Sequence, residues 1–410
     1  MRFACALFIV FLLSNTPSPL YPVWQLQMGY SAATTTLLFA AYQVGVLCGL
    51  LGLARPAERR WPRWSLPVTI GIAIASAVLL ALAALPWQLG LARFLSGIAS
   101  GIFVSYGAAT VTAQYTARGR TNGHWVASLC ITAGLGLGPL TGGAFIDLVA
   151  NPEVSVFAAE AALLLAAGLA VLLRPAVPAA QQERPAAGLE TVAVQPRTCR
   201  ARLRSSRQRP PQLRLALAVI ITCGIICSVH MSVGSVYLAL ELGVRTGLAA
   251  GGMVAMVFAA GFLGQIVLGR SSVQAKSYWS LALGLAGAAV LGYGMLTASV
   301  PALFASAVLS GGCQGAGQLA AMSIAREFLG EEALAQGFAR INFFGYAAGM
   351  ATVLATGALV PALGLGAAIA LVCVLALALT VGAGILLTVR KGLLEPLPAA
   401  VRYMPSPVRS

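Results

Sequence analysis

Charge is what this chain has little of. Asp, Glu, Lys and Arg make up 9% of its 410 residues, whereas hydrophobic residues make up 59%. A water-soluble domain carries roughly 25% charged residues, so an apolar core under a charged aqueous surface is excluded as the general plan. Histidine is almost missing, at two residues, and the acids number eleven. Neither His-Glu-x-x-His nor Gly-x-Ser-x-Gly occurs, which removes common hydrolase designs. The eight Cys follow no metal-ligand spacing and read as packing residues or idle thiols. Catalytic residues, a metal and a cofactor are therefore not expected.

What the chain has instead is lipid-compatible length. Mean hydropathy is +0.87, and twelve apolar stretches of about 20 residues each match a hydrocarbon core about 30 Å thick. They lie near residues 3–24, 32–54, 66–85, 88–113, 124–149 and 154–173, then 213–240, 248–268, 278–298, 301–325, 337–361 and 363–389. Short turns such as Pro86-Trp87 and Asn151-Pro152 separate most of them. One long polar segment, residues 174–212, is rich in Arg, Pro, Ala and Gln and reads as a flexible linker. The division is thus a six-helix bundle over 1–173, a basic linker over 174–212, a second bundle over 213–389 and a tail over 390–410. Forty-five Gly residues suit helices that must approach closely in lipid.

The formal charge of +15 could suggest nucleic acid, but its distribution argues otherwise. All but Arg93, Arg245 and Arg340 of the 26 basic residues fall in segments that share one side of the membrane. This is the positive-inside bias. It places both termini in the cytoplasm, with lipid and not nucleic acid as the partner; a bacterial inner membrane is the expected location. Arg2 followed by Phe3–Leu13 has the look of a signal sequence. No small-x-small cleavage site follows, so the segment reads as an uncleaved first helix broken near Pro17.

The two halves repeat. Shifting the chain by 214 residues aligns Leu95-Ser96-Gly97 with Leu309-Ser310-Gly311, and pairs Gly101 with Gly315, Gly123 with Gly337, Leu140 with Leu354 and Gly143 with Gly357. Parallel repeats around a central binding site are one way transporters are built.

The fifth stretch carries Gly134-Leu135-Gly136-Leu137-Gly138-Pro139-Leu140-Thr141-Gly142-Gly143. Small residues let two helices touch, and Pro139 removes a backbone donor and bends the helix. The string serves either as a gating seam or as ordinary tight packing with a kink. It resembles the G-x-x-x-G-P-x-x-G-G signature of the drug/proton antiporter branch of the major facilitator superfamily, through Gly134, Gly138, Pro139, Gly142 and Gly143. The fourth stretch, Arg93-Phe94-Leu95-Ser96-Gly97-Ile98-Ala99-Ser100-Gly101, is similar to the family's R-x-x-Q-G-x-G motif, with Ser96 where Gln is usual. The resemblance implies that Arg93 couples proton to substrate movement; the alternative is that Arg93 snorkels to the membrane rim. After the second stretch, Glu58-Arg59 retains the acid–base pair of a worn family loop motif, which implies a cytoplasmic latch. The implied fold is an all-α membrane protein of twelve transmembrane helices in two pseudo-symmetric six-helix bundles.

One departure concerns coupling. No acid sits near the centre of an expected helix; Glu160 and Asp147 come closest. Where the first helix could offer a carboxylate it has Ser14-Asn15-Thr16, and the 214 shift sets Asn15-Thr16 opposite Val229-His230. In the family the first and seventh helices line the cavity, so His230 is expected to face Asn15 and Thr16 across the substrate path. A histidine can exchange protons near neutral pH, so His230 is either the protonation site or a hydrogen-bonded packing residue. Gln314 and Asn342 are further cavity candidates. The expected activity is export of a small, largely apolar substrate against protons by a monomer, with import or facilitation of a small neutral or anionic metabolite as the alternative.

Overall fold

A backbone in hydrocarbon has no water to bond, so each apolar stretch closes its own hydrogen-bond ladder as a helix. The computed structural model describes residues 2–53, 65–116, 118–120, 123–173, 211–328 and 331–390. Among these residues there are helices and no strand. The first half consists of α1 (Arg2–Asn15, resuming as Tyr21–Met28 after a 3₁₀ turn at Ser18–Leu20), α2 (Ala32–Leu53), α3 (Ser65–Ala81), α4 (Pro86–Ile102, running through a π turn at Phe103–Gly107 into Ala108–Thr116), α5 (Gly123–Leu148) and α6 (Pro152–Leu172). The second half consists of α7 (Pro211–Val229, prolonged by π turns at His230–Gly234 and Tyr237–Glu241), α8 (Gly247–Leu268), α9 (Val273–Thr297), α10 (Val300–Phe328), α11 (Glu331–Leu363) and α12 (Leu365–Val389). Nine of these described helices are long and apolar enough to cross a membrane, and Ser65–Ala81 is a shorter apolar one. The other two, α4 and α10, complete the set of twelve. The expected latch pair Glu58 and Arg59 and most of the expected linker lie outside the described residues.

Several ends differ from the sequence expectation. The turn before α4 is not Pro86-Trp87: both residues belong to the first helical turn, and Leu85 ahead of them is extended at φ −132°. Proline fits the first turn of a helix and forces its predecessor out of the helical region. Pro152 begins α6 in the same way. The start of α9 moves back to Val273 because Ser272 caps it, accepting the Ala275 N–H at 3.2 Å.

The two halves are built alike. α2 lies on α4 as α8 lies on α10; α1 on α5 as α7 on α11; α3 on α6 as α9 on α12. The repeated glycines are where these contacts close. A Cβ at Gly97 would meet the Tyr42 carbonyl and one at Gly101 the Val46 carbonyl, both on α2; at Gly311 and Gly315 it would meet the Val257 and Gly261 carbonyls on α8. The aligned pair Gly143 and Gly357 joins the halves. Gly143 abuts the Gly247 backbone on α8, and Gly357 abuts Thr36 on α2. Between the halves the contacts therefore run α5 to α8 and α11 to α2.

Successive rods reverse direction, so one end of the bundle carries the termini and the other, here called distal, carries the short turns such as 29–31, 149–151 and 242–246. Of the close approaches found between the halves, those at Gly143–Gly247, Pro139–Gly251 and Thr36–Gly357 lie in the distal half of the rods, and that at Gln43–Gly349 lies at their middle. Gly97→Val places methyl groups against the α2 backbone, and overpacking of this kind typically costs about 1–3 kcal/mol. The melting temperature in detergent should fall by several degrees, whereas Gly71→Val, where nothing lies within 4 Å, should leave it unchanged.

Candidate functional site

The polar centre of the first half is the break in α1. Pro17, Pro19 and Pro22 bring no N–H, so the Leu13, Asn15 and Ser18 carbonyls lack the donors that a regular helix would supply. Two of the carbonyls at the break find distant donors. Arg93 Nη1 donates to the Ser14 carbonyl at 2.7 Å, and Ser235 Oγ on α7 donates to the Ser18 carbonyl at 2.8 Å. Ser14 Oγ also lies 2.6 Å from Ser100 Oγ on α4. The break is thus tied to α4 within its own half and to α7 in the other.

Arg93 does not snorkel. It is 0% exposed, although it sits only two turns from Pro86. Its guanidinium carbon lies 4.4 Å from the centre of the Tyr42 ring, a cation–π contact that offsets part of the cost of burying the charge. Nε and Nη2 make no hydrogen bond, so the group retains donor capacity beyond its Ser14 contact.

The expected meeting of His230 with Asn15 and Thr16 is not what the structure has. His230 is 2% exposed and points into its own half, with Nε2 2.9 Å from Ser306 Oγ on α10. The Ser306 hydroxyl donates to the Leu303 carbonyl at 2.7 Å, so it accepts from His230 Nε2–H. Asn15 Nδ2 donates to the Leu135 carbonyl on α5 at 3.1 Å. Thr16 turns to α6, where its hydroxyl meets Glu160 Oε1 at 2.5 Å. The 214 shift thus locates equivalent breaks, since Thr16 corresponds to His230 at the start of the π turn, but each side chain serves its own bundle. Glu160 is the site residue that position alone undervalued. The distances of Thr16 and Glu160 from their helix starts give no hint of contact, which arises from the packing of α1 on α6.

The α5 glycine string has two faces. A Cβ at Gly134 would come 2.6 Å from the Phe8 carbonyl, one at Gly138 would meet the Leu12 carbonyl, and one at Gly142 would come 2.5 Å from the Thr16 carbonyl. These three glycines, one turn apart, lay α5 on α1. On the other face the Pro139 carbonyl abuts Gly251, and Gly143 abuts Gly247. Beyond them Asp147 accepts the N–H groups of Gly247 and Leu248 at 2.7 and 2.9 Å. A carboxylate there caps α8 and meets the positive end of its dipole, fastening the two halves at the distal end.

Gln314 and Asn342 do not meet each other. Asn342 Oδ1 accepts from Gln318 Nε2 at 3.3 Å, and Asn342 Nδ2 donates to the Phe338 carbonyl at 3.0 Å. Gln314 Oε1 is buried without a partner, as is Gln43 Oε1 near the contact between α2 and α11. No group of three or more His, Cys, Asp or Glu able to hold a metal occurs among the described residues.

Two six-helix halves, joined by glycine contacts and carrying buried polar side chains where their first helices break, define a polytopic transporter rather than an enzyme. The chain belongs to the Major Facilitator Superfamily, whose sequence profile matches residues 3–299. No curated protein matches it. Among solved structures it is similar in fold to a mutant form of the nucleoside transporter NupG, with a TM-score of 0.74 at 12% identity over 94% of this chain and 98% of that one. A bacterial homologue of the human lysosomal transporter Spinster, inward-facing and unoccupied, gives a TM-score of 0.74 at 15% identity over 96% of each chain. A POT family transporter in complex with 5-aminolevulinic acid gives 0.70 at 12% identity over 96% of each. At these identities the likeness concerns the fold.

Removing the Asp147 cap should loosen the distal contact. Loss of such a cap costs about 1 kcal/mol, roughly a fivefold shift in a two-state balance. In Asp147→Ala, a cysteine placed at buried Ser18 should react with a maleimide several-fold faster than in the parent; an unchanged rate would show that the cap does not hold this end closed.

Proposed function

We propose that this protein exports small, largely apolar compounds across the bacterial cytoplasmic membrane by alternating access, in exchange for protons. Both termini lie in the cytoplasm in this reading, as the distribution of basic residues supports. The distal end, where the halves touch, then faces outward, and the structure corresponds to the form closed on that side.

The observation that carries the reading is the two-faced α5 string. One helix touches α1 of its own half and α8 of the other through glycines and Pro139. A contact without interlocking side chains can open and re-form without rotamer changes, as a rocking seam requires. The scarcity of charge along the helices favours apolar cargo. The spare donors of Arg93 suit a neutral or weakly anionic compound better than a cation. The resemblance of the string to that of drug/proton antiporters supports export over import.

The test is flux in everted membrane vesicles energised to be acid inside. A neutral or weakly anionic lipophilic dye should accumulate in vesicles that contain the protein and leave when a protonophore is added. Dye uptake by intact cells, with no accumulation in everted vesicles, would reverse the direction. Gly143→Val, which meets the Gly247 backbone, should lower the flux more than tenfold. Gly136→Ala, whose nearest neighbour Phe258 lies at an ordinary 3.5 Å, should keep it within twofold.

A further inference from the structure

We infer that Glu160 is the group that takes up and releases the coupling proton, and that Thr16 passes its charge state to the α5 seam; this rests on the proton exchange proposed above. Glu160 lies eight residues into α6 and is 2% exposed. One turn before it, Phe157 stacks on Trp24 at 5.9 Å, closing the pocket with apolar rings. Among the described residues its one hydrogen bond is between Oε1 and Thr16, and Oε2 has no partner.

Among the described residues, the elements around it bring no counter-charge. α3 packs on α6 and carries no titratable residue between Ser65 and Ala81. α1 supplies Tyr21, Cys5 and Arg2, and Arg2 is bonded to the Ala170 carbonyl at the opposite end of α6. α5 supplies His124 in its first turn and Cys130, both on the terminal side, and Asp147, which is occupied by the α8 amides. On α6 itself Glu153 accepts from Gln27. Arg93 reaches the same break in α1 but bonds Ser14, not Glu160. An ionised carboxylate held by one hydroxyl in such surroundings is strongly disfavoured, so the carboxyl carries its proton in this conformation.

The hydroxyl of Thr16 has one hydrogen and two acceptors in reach: Glu160 Oε1 at 2.5 Å and the Leu12 carbonyl at 2.9 Å. With Glu160 neutral, Oε1–H donates to Thr16 Oγ1 and the Thr16 hydrogen stays on Leu12. When the proton leaves Oε1 for water, the Thr16 hydrogen turns to the carboxylate and the Leu12 carbonyl loses that donor. The Leu12 and Thr16 carbonyls are the surfaces on which Gly138 and Gly142 rest. Ionisation also demands water at Oε2, and hence separation of α1 from α6. One proton gained or lost thus changes the hydrogen bonding and the position of the α1 segment that carries α5.

The experiment uses the full chain in liposomes. Infrared difference spectra on raising pH should show loss of one protonated-carboxyl band in the parent and in His230→Gln, and none in Glu160→Gln. Thr16→Val, which keeps the carboxyl, should shift the frequency of that band. In the flux arm, Glu160→Gln should lose at least tenfold in dye accumulation driven by a pH gradient, whereas His230→Gln should retain it. A band that persists in Glu160→Gln, or that Thr16→Val leaves unshifted, overturns the assignment. So does an unchanged response of Glu160→Gln to the pH gradient when the parent responds. A parent protein without any gradient-driven flux defeats the antiport reading and this inference with it.

Discussion

Helices in a bilayer gain nothing from leaving lipid for one another in the way they gain from leaving water, so their association depends on how closely backbones can approach. In this protein that constraint is met by glycines at corresponding places in the two halves. Gly97 and Gly101 lay α4 on the α2 backbone, and Gly311 and Gly315 lay α10 on α8. The 214-residue repeat survives most visibly at these positions because a side chain there would overlap a carbonyl. The same constraint joins the halves through Gly143 and Gly357. Close packing within each bundle and sliding contact between bundles therefore come from one residue type used in two settings.

The polar chemistry gathers where this packing is interrupted. Pro17 and Pro19 break α1, and a π turn begins at His230 in α7; these are equivalent points in the repeat. Each break is tied to a neighbour within its own half, by Arg93 on the Ser14 carbonyl in the first and by Ser306 on His230 in the second. The halves diverge in charge: the first buries a cation and a carboxyl around its break, while the second buries a histidine and serines. A buried charge is tolerated when structure supplies its partners. Arg93 has a carbonyl and the Tyr42 ring; Glu160 has one hydroxyl and is accommodated as the neutral acid.

Much of the architecture was legible in the residues. Twelve apolar stretches, the repeat and a close helix contact through Gly134, Gly138, Pro139, Gly142 and Gly143 follow from length, hydropathy and spacing. What was not legible follows from limits of the same signals. Hydropathy understates α10, whose Gly, Ser and Gln face neighbouring helices, and it misplaced the start of α9, where a Ser cap sets the boundary before the apolar run begins. Arg93 looked able to reach the rim because distance along a helix says nothing about which neighbour covers it. His230 was expected opposite Asn15 and Thr16 because the repeat gives equivalent positions but not rotamers. Glu160 stands out in the sequence only as an acid some way into its helix, because its significance lies in a contact 144 residues away.

The central claim is that the distal contact between α5 and α8 must part for a molecule to cross. The direct test replaces Leu148 and Leu248, exposed residues at the facing ends of α5 and α8, with cysteines, in a background without the native exposed thiols, and bridges them with a short bifunctional reagent. The account predicts that bridging stops dye flux in vesicles and that cleaving the reagent restores it. Undiminished flux through the bridged protein would contradict it.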